Sequence, residues 1–300
     1  MIVVMGATGA TGNALLTRLL DLGVPCRALS RTPDRLRAME YPPEAEIRYA
    51  DATNLAALRS AFHGATQLFL AMTNSPAQVE LETRTIETAA ACGIEHIVKL
   101  SAPAVASNSP VTVARWHYAI EEVLRATDLT HTILRPYAFM QKLLLLGPQV
   151  ATQGTIFGTM CESPCNYIDC RDIADVAAAA LTRAEIAGGT YLLTGAHTYS
   201  YPQLAARLSS MLNTAIHYTD LSSTDFHQHL TEQSGLPTWL ANHIIEIQQL
   251  AIAQPEHPTD TVAHILGKPP RTLESFLTEN LDTFRHLPVS DCASRTPRGR

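Results

Sequence analysis

The strongest chemical signal lies within the first twelve residues. Gly6-Ala7-Thr8-Gly9-Ala10-Thr11-Gly12 follows a short apolar run and opens a helical pattern. Gly6 suits a tight strand-to-helix turn, Gly9 lets the backbone approach a pyrophosphate, and Gly12 lets the helix pack closely on the sheet. Thr8, Ala10 and Thr11 fall where a helix N-terminus offers amides, hydroxyls and a favourable dipole to an anion. The chemistry this predicts is dinucleotide binding, and the strand-turn-helix setting raises it above an incidental glycine turn.

The end of the second strand distinguishes the two nicotinamide cofactors. A carboxylate there accepts hydrogen bonds from the ribose hydroxyls of NAD(H). This chain reads Ser30-Arg31-Thr32-Pro33-Asp34-Arg35 instead. Arg31 can form a charge-assisted fork with a 2′-phosphate that a carboxylate would repel. Ser30 and Thr32 add hydroxyls, and Arg35 either stacks over the adenine or is solvated. The expected cofactor is therefore NADP(H). Asp51 and Ala52, after the third strand, are expected at the adenine edge, and Asp51 doubles as a candidate cap for the helix over 55–62. Ala71 and Thr73, after the fourth strand, Ser101, at the end of the fifth, and Tyr137, after the sixth, complete the expected cofactor contacts.

Candidate reacting groups follow from position. Ser101 ends the fifth strand, where ligands bind in such sheets, and either donates to a substrate oxygen or caps the next segment. His117 is a candidate proton donor or ribose contact acting through Glu121; a core or surface histidine is the bland alternative. Tyr118 has a weaker claim. Asn74, Trp116, Phe139, Met140, Tyr167 and Trp239 are the candidate walls of the substrate pocket, taken as a group.

The elements that must position these residues are legible as periodicity. Apolar runs over 2–5, 24–30, 46–49, 67–71, 96–100 and 131–134 alternate with helical patterns over 9–22, 79–91 and 113–126. Uniformly apolar strands joined by helices predict an α/β fold, a doubly wound parallel Rossmann sheet buried on both faces. Residues 1–150 are read as the NADP(H)-binding domain. Residues 151–286 are read as a smaller, mixed but mostly helical C-terminal cap that binds substrate, with 167–193 returning to the sheet. The segment 287–300, with its serines, prolines and arginines, is read as a disordered tail.

These motifs resemble the NmrA-like atypical short-chain dehydrogenase/reductases. The resemblance rests on the glycine string, Arg31, Arg135-Pro136-Tyr137-Ala138-Phe139-Met140, Asp169-Cys170-Arg171-Asp172-Ile173-Ala174-Asp175 and Gly267-Lys268-Pro269-Pro270-Arg271. It covers the chain to about residue 285. It implies a substrate cleft between two parts, and a family that includes quinone, azo-dye and triphenylmethane reductases, natural-product tailoring enzymes and non-catalytic NADP(H)-binding regulators. Typical short-chain dehydrogenases carry Tyr-x-x-x-Lys on the helix after strand five. Here Tyr118 is followed at that spacing by Glu122 and His117 by Glu121, so the lysine is missing and the departure fits the subfamily.

Without that dyad, hydride transfer is easiest to a substrate that spreads the resulting charge. The expected activity is reduction by NADPH of an electron-poor quinonoid or polycyclic aromatic or ketone substrate, including a role in natural-product tailoring. Two alternatives stand beside it: a non-redox tailoring enzyme (cyclisation, dehydration or rearrangement), and an NADP(H)-sensing regulator without turnover.

Bulk properties bound the rest. Three hundred residues with 22 basic and 28 acidic side chains carry a net charge of −6, which offers no electrostatic footprint for nucleic acid or an anionic membrane. The expected partner is a small molecule, on a cytoplasmic monomer or homodimer. Cys26, Cys92, Cys161, Cys165, Cys170 and Cys292 are read as reduced thiols without a metal, since none forms a Cys-x-x-Cys pair.

Overall fold

The structure is a computed structural model that describes residues 1–39 and 41–285; Cys292 and the whole of the expected tail at 287–300 lie outside the described residues. The first half alternates strand and helix. β1 (Ile2–Met5), β2 (Cys26–Ser30), β3 (Ala45–Tyr49), β4 (Gln67–Leu70), β5 (His96–Leu100) and β6 (Thr130–Pro136) are its strands. α1 (Ala10–Asp21), α2 (Pro33–Arg37), α3 (Leu55–Phe62), α4 (Gln78–Ala91) and α5 (Thr112–Arg125) are the intervening helices.

The later part adds β7 (Ala138–Phe139), β8 (Thr155–Gly158), β9 (Cys165–Ile168), β10 (Thr190–Leu193), β11 (Thr198–Tyr199) and β12 (His217–Asp220). Its helices are α6 (Met140–Leu143), α7 (Gly147–Gln153), α8 (Cys170–Thr182), α9 (Tyr201–Leu212), α10 (Ser223–Gln228), α11 (Thr238–Ala253), α12 (Thr261–Leu266) and α13 (Leu273–Glu279). None of the described helices is long and apolar enough to cross a membrane.

Seven strands form one parallel sheet in the order β10-β6-β5-β4-β1-β2-β3. The order reverses between β1 and β4, and such a switch point opens a crevice at the carboxyl ends of the strands. β10 returns to the sheet beside β6, whereas β9 does not: it joins β7 and β11 in a small separate sheet, and β8 pairs with β12. The expectation that the whole 167–193 segment rejoins the main sheet is thus corrected for its first strand.

Both faces of the sheet are covered. Leu15, Leu16 and Leu19 of α1 pack with Ile173, Val176 and Ala177 of α8 on one face. Leu58 and Phe62 of α3, Ile86 of α4, and Ile120 and Leu124 of α5 cover the other. Each such buried side chain contributes roughly 1.5–3 kcal/mol of transfer free energy, more than the sub-kcal differences in helix propensity, so the apolar stripes fix where the helices lie. A third core, around Leu204, Leu208, Phe276, Leu277 and Phe284, holds the C-terminal part.

Candidate functional site

The glycine turn is built by steric necessity. Gly6 adopts φ +81°, and a Cβ there would lie 2.4 Å from the Ala71 carbonyl oxygen, so the β1 turn and the end of β4 touch through backbone alone. A Cβ on Gly12 would fall 2.2 Å from the Gly6 carbonyl oxygen. Gly12 therefore seats the first turn of α1 against the loop itself, rather than against the strands as expected. The Gly9 amide donates to the Gly6 carbonyl at 2.9 Å. Gly9 is the N-cap of α1 and brings no side-chain cap, and Thr8, Gly9 and Ala10 are exposed. The first amides of a twelve-residue helix thus face outward without a side-chain acceptor, which suits an anion. Thr11 is buried and its hydroxyl meets Cys170.

Beside this turn lies a cationic patch. Ser30 is buried at the end of β2, and its hydroxyl accepts from the Thr32 amide at 2.9 Å. Arg31 and Arg35 are exposed, and neither guanidinium makes a hydrogen bond or ion pair among the described residues, whereas neighbouring Arg37 is paired with Asp34 at 2.7 Å. Asp51 accepts from the Thr53 amide (2.9 Å) and hydroxyl (2.8 Å). Those bonds, with the nearby Arg31 charge, hold its carboxyl below the usual range. Asp51 does not cap α3; Asn54 does, accepting from the Ala57 amide at 3.0 Å. Ala52 is buried behind this loop, and Ala71, Thr73 and Asn74 line the turn after β4, with Thr73 exposed.

Helix α5 carries two buried polar networks, one turn apart. Glu121 is fully buried and accepts from the Ser101 hydroxyl (2.6 Å), Arg135 Nε (3.1 Å) and Arg125 Nη2 (2.6 Å). Burial works against its ionisation, but the bonds from Arg135 and Ser101 outweigh it, so its carboxyl stays below the ordinary value. The Ser101 proton, expected to be free for a substrate oxygen, is thereby committed to Glu121. His117 does not act through Glu121 either. Its Nδ1 lies 3.3 Å from Lys99 Nζ, and Lys99 pairs with Glu82 at 2.7 Å, both of those side chains wholly buried. Burial first, then the Lys99 cation and His243, pushes the imidazole well below its usual pKa.

Lys99 and Glu82 escaped sequence reasoning. The one available signal was a lysine inside the otherwise apolar run His96–Leu100. Tyr118 is half-buried, and its hydroxyl makes no hydrogen bond among the described residues.

The expected pocket walls divide. Trp116 of α5 and Trp239 of α11 meet, ring centroids 6.0 Å apart and tilted by 48°. The same two helices are tied by Glu246, which accepts from the Thr112 amide (2.8 Å) and hydroxyl (2.9 Å). That carboxylate supplies the acceptor that the N-cap of α5, Val111, cannot. Phe139 and Tyr137 are half-buried near the end of β6. Met140 and Tyr167 are corrections: they are 2% and 6% exposed and belong to the third core, with the Tyr167 hydroxyl beside Tyr201 and Cys165.

The Asp-rich motif is a joint. Asp169 caps α8 through the Arg171 amide and accepts from Gln141 at 2.9 Å. Asp172 accepts from the Arg271 amide at 2.7 Å and pairs with its guanidinium, and Asp175 meets Arg18 of α1 at 3.3 Å and Arg271 at 3.2 Å. Among the described residues no cluster of three potential metal ligands occurs; Cys161 is exposed beside Asp220, while Cys165 is half-buried and Cys170 buried. A surface depression of about 500 Å³ lined by Met1, Val24, Pro25 and Gln67 opens at the amino ends of the strands, away from all of this chemistry.

A family model described as NAD(P)H-binding matches residues 6–184, from the glycine turn to just past the Asp-rich joint. The chain belongs to this NAD(P)H-binding family. Within it, the chain is 28% identical over 288 residues to an NAD(P)H azoreductase of Xenophilus azovorans, covering 95% of this chain and 99% of that protein. It is 30% identical over 286 residues to the (4-alkanoyl-5-oxo-2,5-dihydrofuran-3-yl)methyl phosphate reductase of Streptomyces griseus, covering 95% and 99%. Among solved structures, the NADPH complex of the Escherichia coli NADPH-dependent quinone oxidoreductase superposes with a TM-score of 0.84 at 26% identity, over 94% of this chain and 100% of that one.

Proposed function

We propose that this member of the family is an NADPH-dependent reductase acting on an electron-poor quinonoid, polycyclic aromatic or ketone substrate without a Tyr-x-x-x-Lys dyad. The observation that carries the reading is a glycine turn at the switch point of the sheet, with no room for a Cβ at Gly6 or Gly12, and the unpaired, exposed Arg31 guanidinium at the end of the adjacent β2. In this reading the amides of Thr8, Ala10 and Thr11 hold the pyrophosphate, and Arg31 with Ser30 and Thr32 holds the 2′-phosphate. Bound there, the cofactor supplies hydride. Residues 1–150 form the nucleotide-binding unit, and 151–286 cover the substrate.

The chain's own contribution to the reaction is orientation and exclusion of water. Trp116 and Trp239 present flat apolar faces where α11 closes on α5. An aromatic substrate docked against that wall is held flat, with its position fixed before reaction rather than during it. Glu122, not lysine, stands one turn beyond Tyr118, so this helix does not activate the tyrosine. Substrates that disperse charge over a conjugated ring need such activation least. The azo, quinone and furanone-phosphate reductases among the relatives support this class, and a tailoring step on an aromatic natural product falls within it.

The test follows reduced-cofactor absorbance with NADPH and with NADH against a panel of quinones, azo dyes and polycyclic ketones. Saturable NADPH loss, much slower with NADH, is expected. Protein that binds NADPH yet oxidises it with no acceptor would overturn the reading and leave a regulator or a non-redox enzyme.

A further inference from the structure

The buried Glu82–Lys99 pair has no evident role in stability. Two charges taken out of water lose more solvation than their attraction commonly returns, and an apolar pair of similar volume is often as stable or more so. Here both side chains are completely enclosed, Glu82 on α4 and Lys99 on β5, and Gln78 braces the carboxylate from one turn away at 2.8 Å. The arrangement has a geometric consequence instead. It presents the Lys99 ammonium to Nδ1 of His117 at 3.3 Å. An ammonium has only donors, so Nδ1 must be the unprotonated nitrogen and the ring proton must sit on Nε2. Nε2 makes no hydrogen bond among the described residues, and His117 keeps 4% exposure. A donor N–H without a partner is thus held on α5, the helix that also carries Trp116.

We infer that His117 donates a hydrogen bond from Nε2–H to the substrate oxygen on which negative charge develops, with Lys99 and Glu82 as positioning residues that fix its neutral tautomer. The inference rests on the reductase reading above. A conjugated substrate that gained an electron pair there would carry the charge on an oxygen. His117 stabilises that oxyanion without surrendering its proton, and the proton that completes reduction comes from water. A neutral imidazole is the better device here, because it needs no proton uptake before each turnover. The charged and titratable groups facing it are consistent with that state. Lys99 approaches from β5 and His243 from α11, both opposing a positive ring; Glu82 is spent on Lys99, and Glu121 is spent on Ser101, Arg125 and Arg135. Around His243 itself stand Glu246 and Lys142.

The experiment is ¹⁵N-histidine NMR of the full chain without added cofactor, from about pH 5 to 8, joined to steady-state quinone reduction by wild type, His117→Ala and the double variant Glu82→Gln/Lys99→Met. The double variant removes both buried charges together and so keeps the fold testable. The expected spectrum shows His117 as the Nε2–H tautomer with no titration in that range. His117→Ala should lower kcat about 10²-fold, the low end for a lost oxyanion donor, with KM for NADPH unchanged. In the double variant burial and His243 remain but the Lys99 cation is gone, so His117 should lose its fixed Nε2–H tautomer and its pKa should rise relative to wild type. A wild-type His117 that titrates near its ordinary value, or carries its proton on Nδ1, overturns the inference. So does an unchanged kcat in His117→Ala. If wild type itself reduces no acceptor, the reductase reading falls and the donor role with it, while the spectrum still decides the tautomer.

Discussion

Arg31→Ala is the substitution that most directly separates the two nicotinamide cofactors. The guanidinium is exposed and unpaired among the described residues, so its removal leaves no orphaned partner and disturbs no core. What is lost is the contact with the 2′-phosphate. A hydrogen bond to a charged group contributes about 1.5–3 kcal/mol, and each 1.4 kcal/mol is tenfold in affinity, so NADPH should weaken by roughly 10- to 150-fold. Solvent screening at an exposed site favours the lower part of that range. Asp51 adds a second effect, since its carboxyl feels the Arg31 charge and would repel the phosphate more once that charge is gone. NADH, which has no phosphate there, should bind as before. The assay is fluorescence titration of each reduced cofactor at low and high salt. The wild-type preference for NADPH should shrink as salt rises, and the variant's preference should be small throughout. Equal weakening of both cofactors would show that Arg31 supports the loop rather than reads the phosphate, and unchanged NADPH binding would refute the assignment outright.

Three further outcomes follow from the same geometry. Gly12→Ala puts a methyl group 2.2 Å from the Gly6 carbonyl oxygen, so α1 must move off the turn and NADPH binding should be lost while the far-ultraviolet dichroism is kept; retained affinity would contradict the cradle. Asp172→Ala strands the Arg271 amide and guanidinium and should cost about 3 kcal/mol in urea denaturation, the low end for a broken buried pair because Arg271 is 31% exposed; a cost below ~1 kcal/mol would deny the joint its weight. Glu256 accepts from the Asn166 amide, and burial raises its carboxyl from 4.5 to about 7. The native state therefore holds this proton more tightly than the unfolded state, and stability falls as pH rises through that window. At about pH 8, Glu256→Gln should be more stable than wild type by up to ~3 kcal/mol, with the gap closing towards pH 4.5; a gap that is the same at both ends would show that titration is not its origin.

How much of this was legible depended on burial. β1 and β5 coincide with the runs that announced them, because a parallel strand covered on both faces is buried along nearly its whole length. β12 was invisible: His217–Asp220 is exposed or half-exposed, and its composition gives no strand signal. The cofactor turn was legible because its three glycines fall within seven consecutive residues, although the constraint on Gly6 comes from Ala71. The polar networks of α5 were not, because their partners come from elements far apart in sequence. Lys99 was visible only as a blemish in an apolar strand, and nothing local says that Glu82 lies on one side of it and His117 on the other. Tyr167 failed for a related reason. An aromatic in a short strand faces either core or cleft, and alternation alone cannot say which until the neighbours of β9 are known.

The motifs that carried the family resemblance are not all motifs of chemistry. Gly6, Gly9 and Gly12 shape a binding surface, whereas Asp172 and Asp175 bind Arg271, Lys268 and Arg18, drawing the loop after α12 onto α8 and α1. Gln141 performs the same office between the end of β7 and the start of α8, donating to Asp169 and accepting from the Cys170 amide at 2.9 Å each. These joints fix where the C-terminal part sits against the sheet. Resemblance at such positions tells of a shared frame, on which different substrates can be handled. Under the proposed function, discrimination among substrates falls to the candidate pocket walls, among them the Trp116–Trp239 contact at the meeting of α5 and α11. Replacing Trp239 should accordingly shift KM among quinone, azo and ketone acceptors while leaving NADPH affinity intact, and a parallel loss of NADPH binding would show that α11 serves the frame instead.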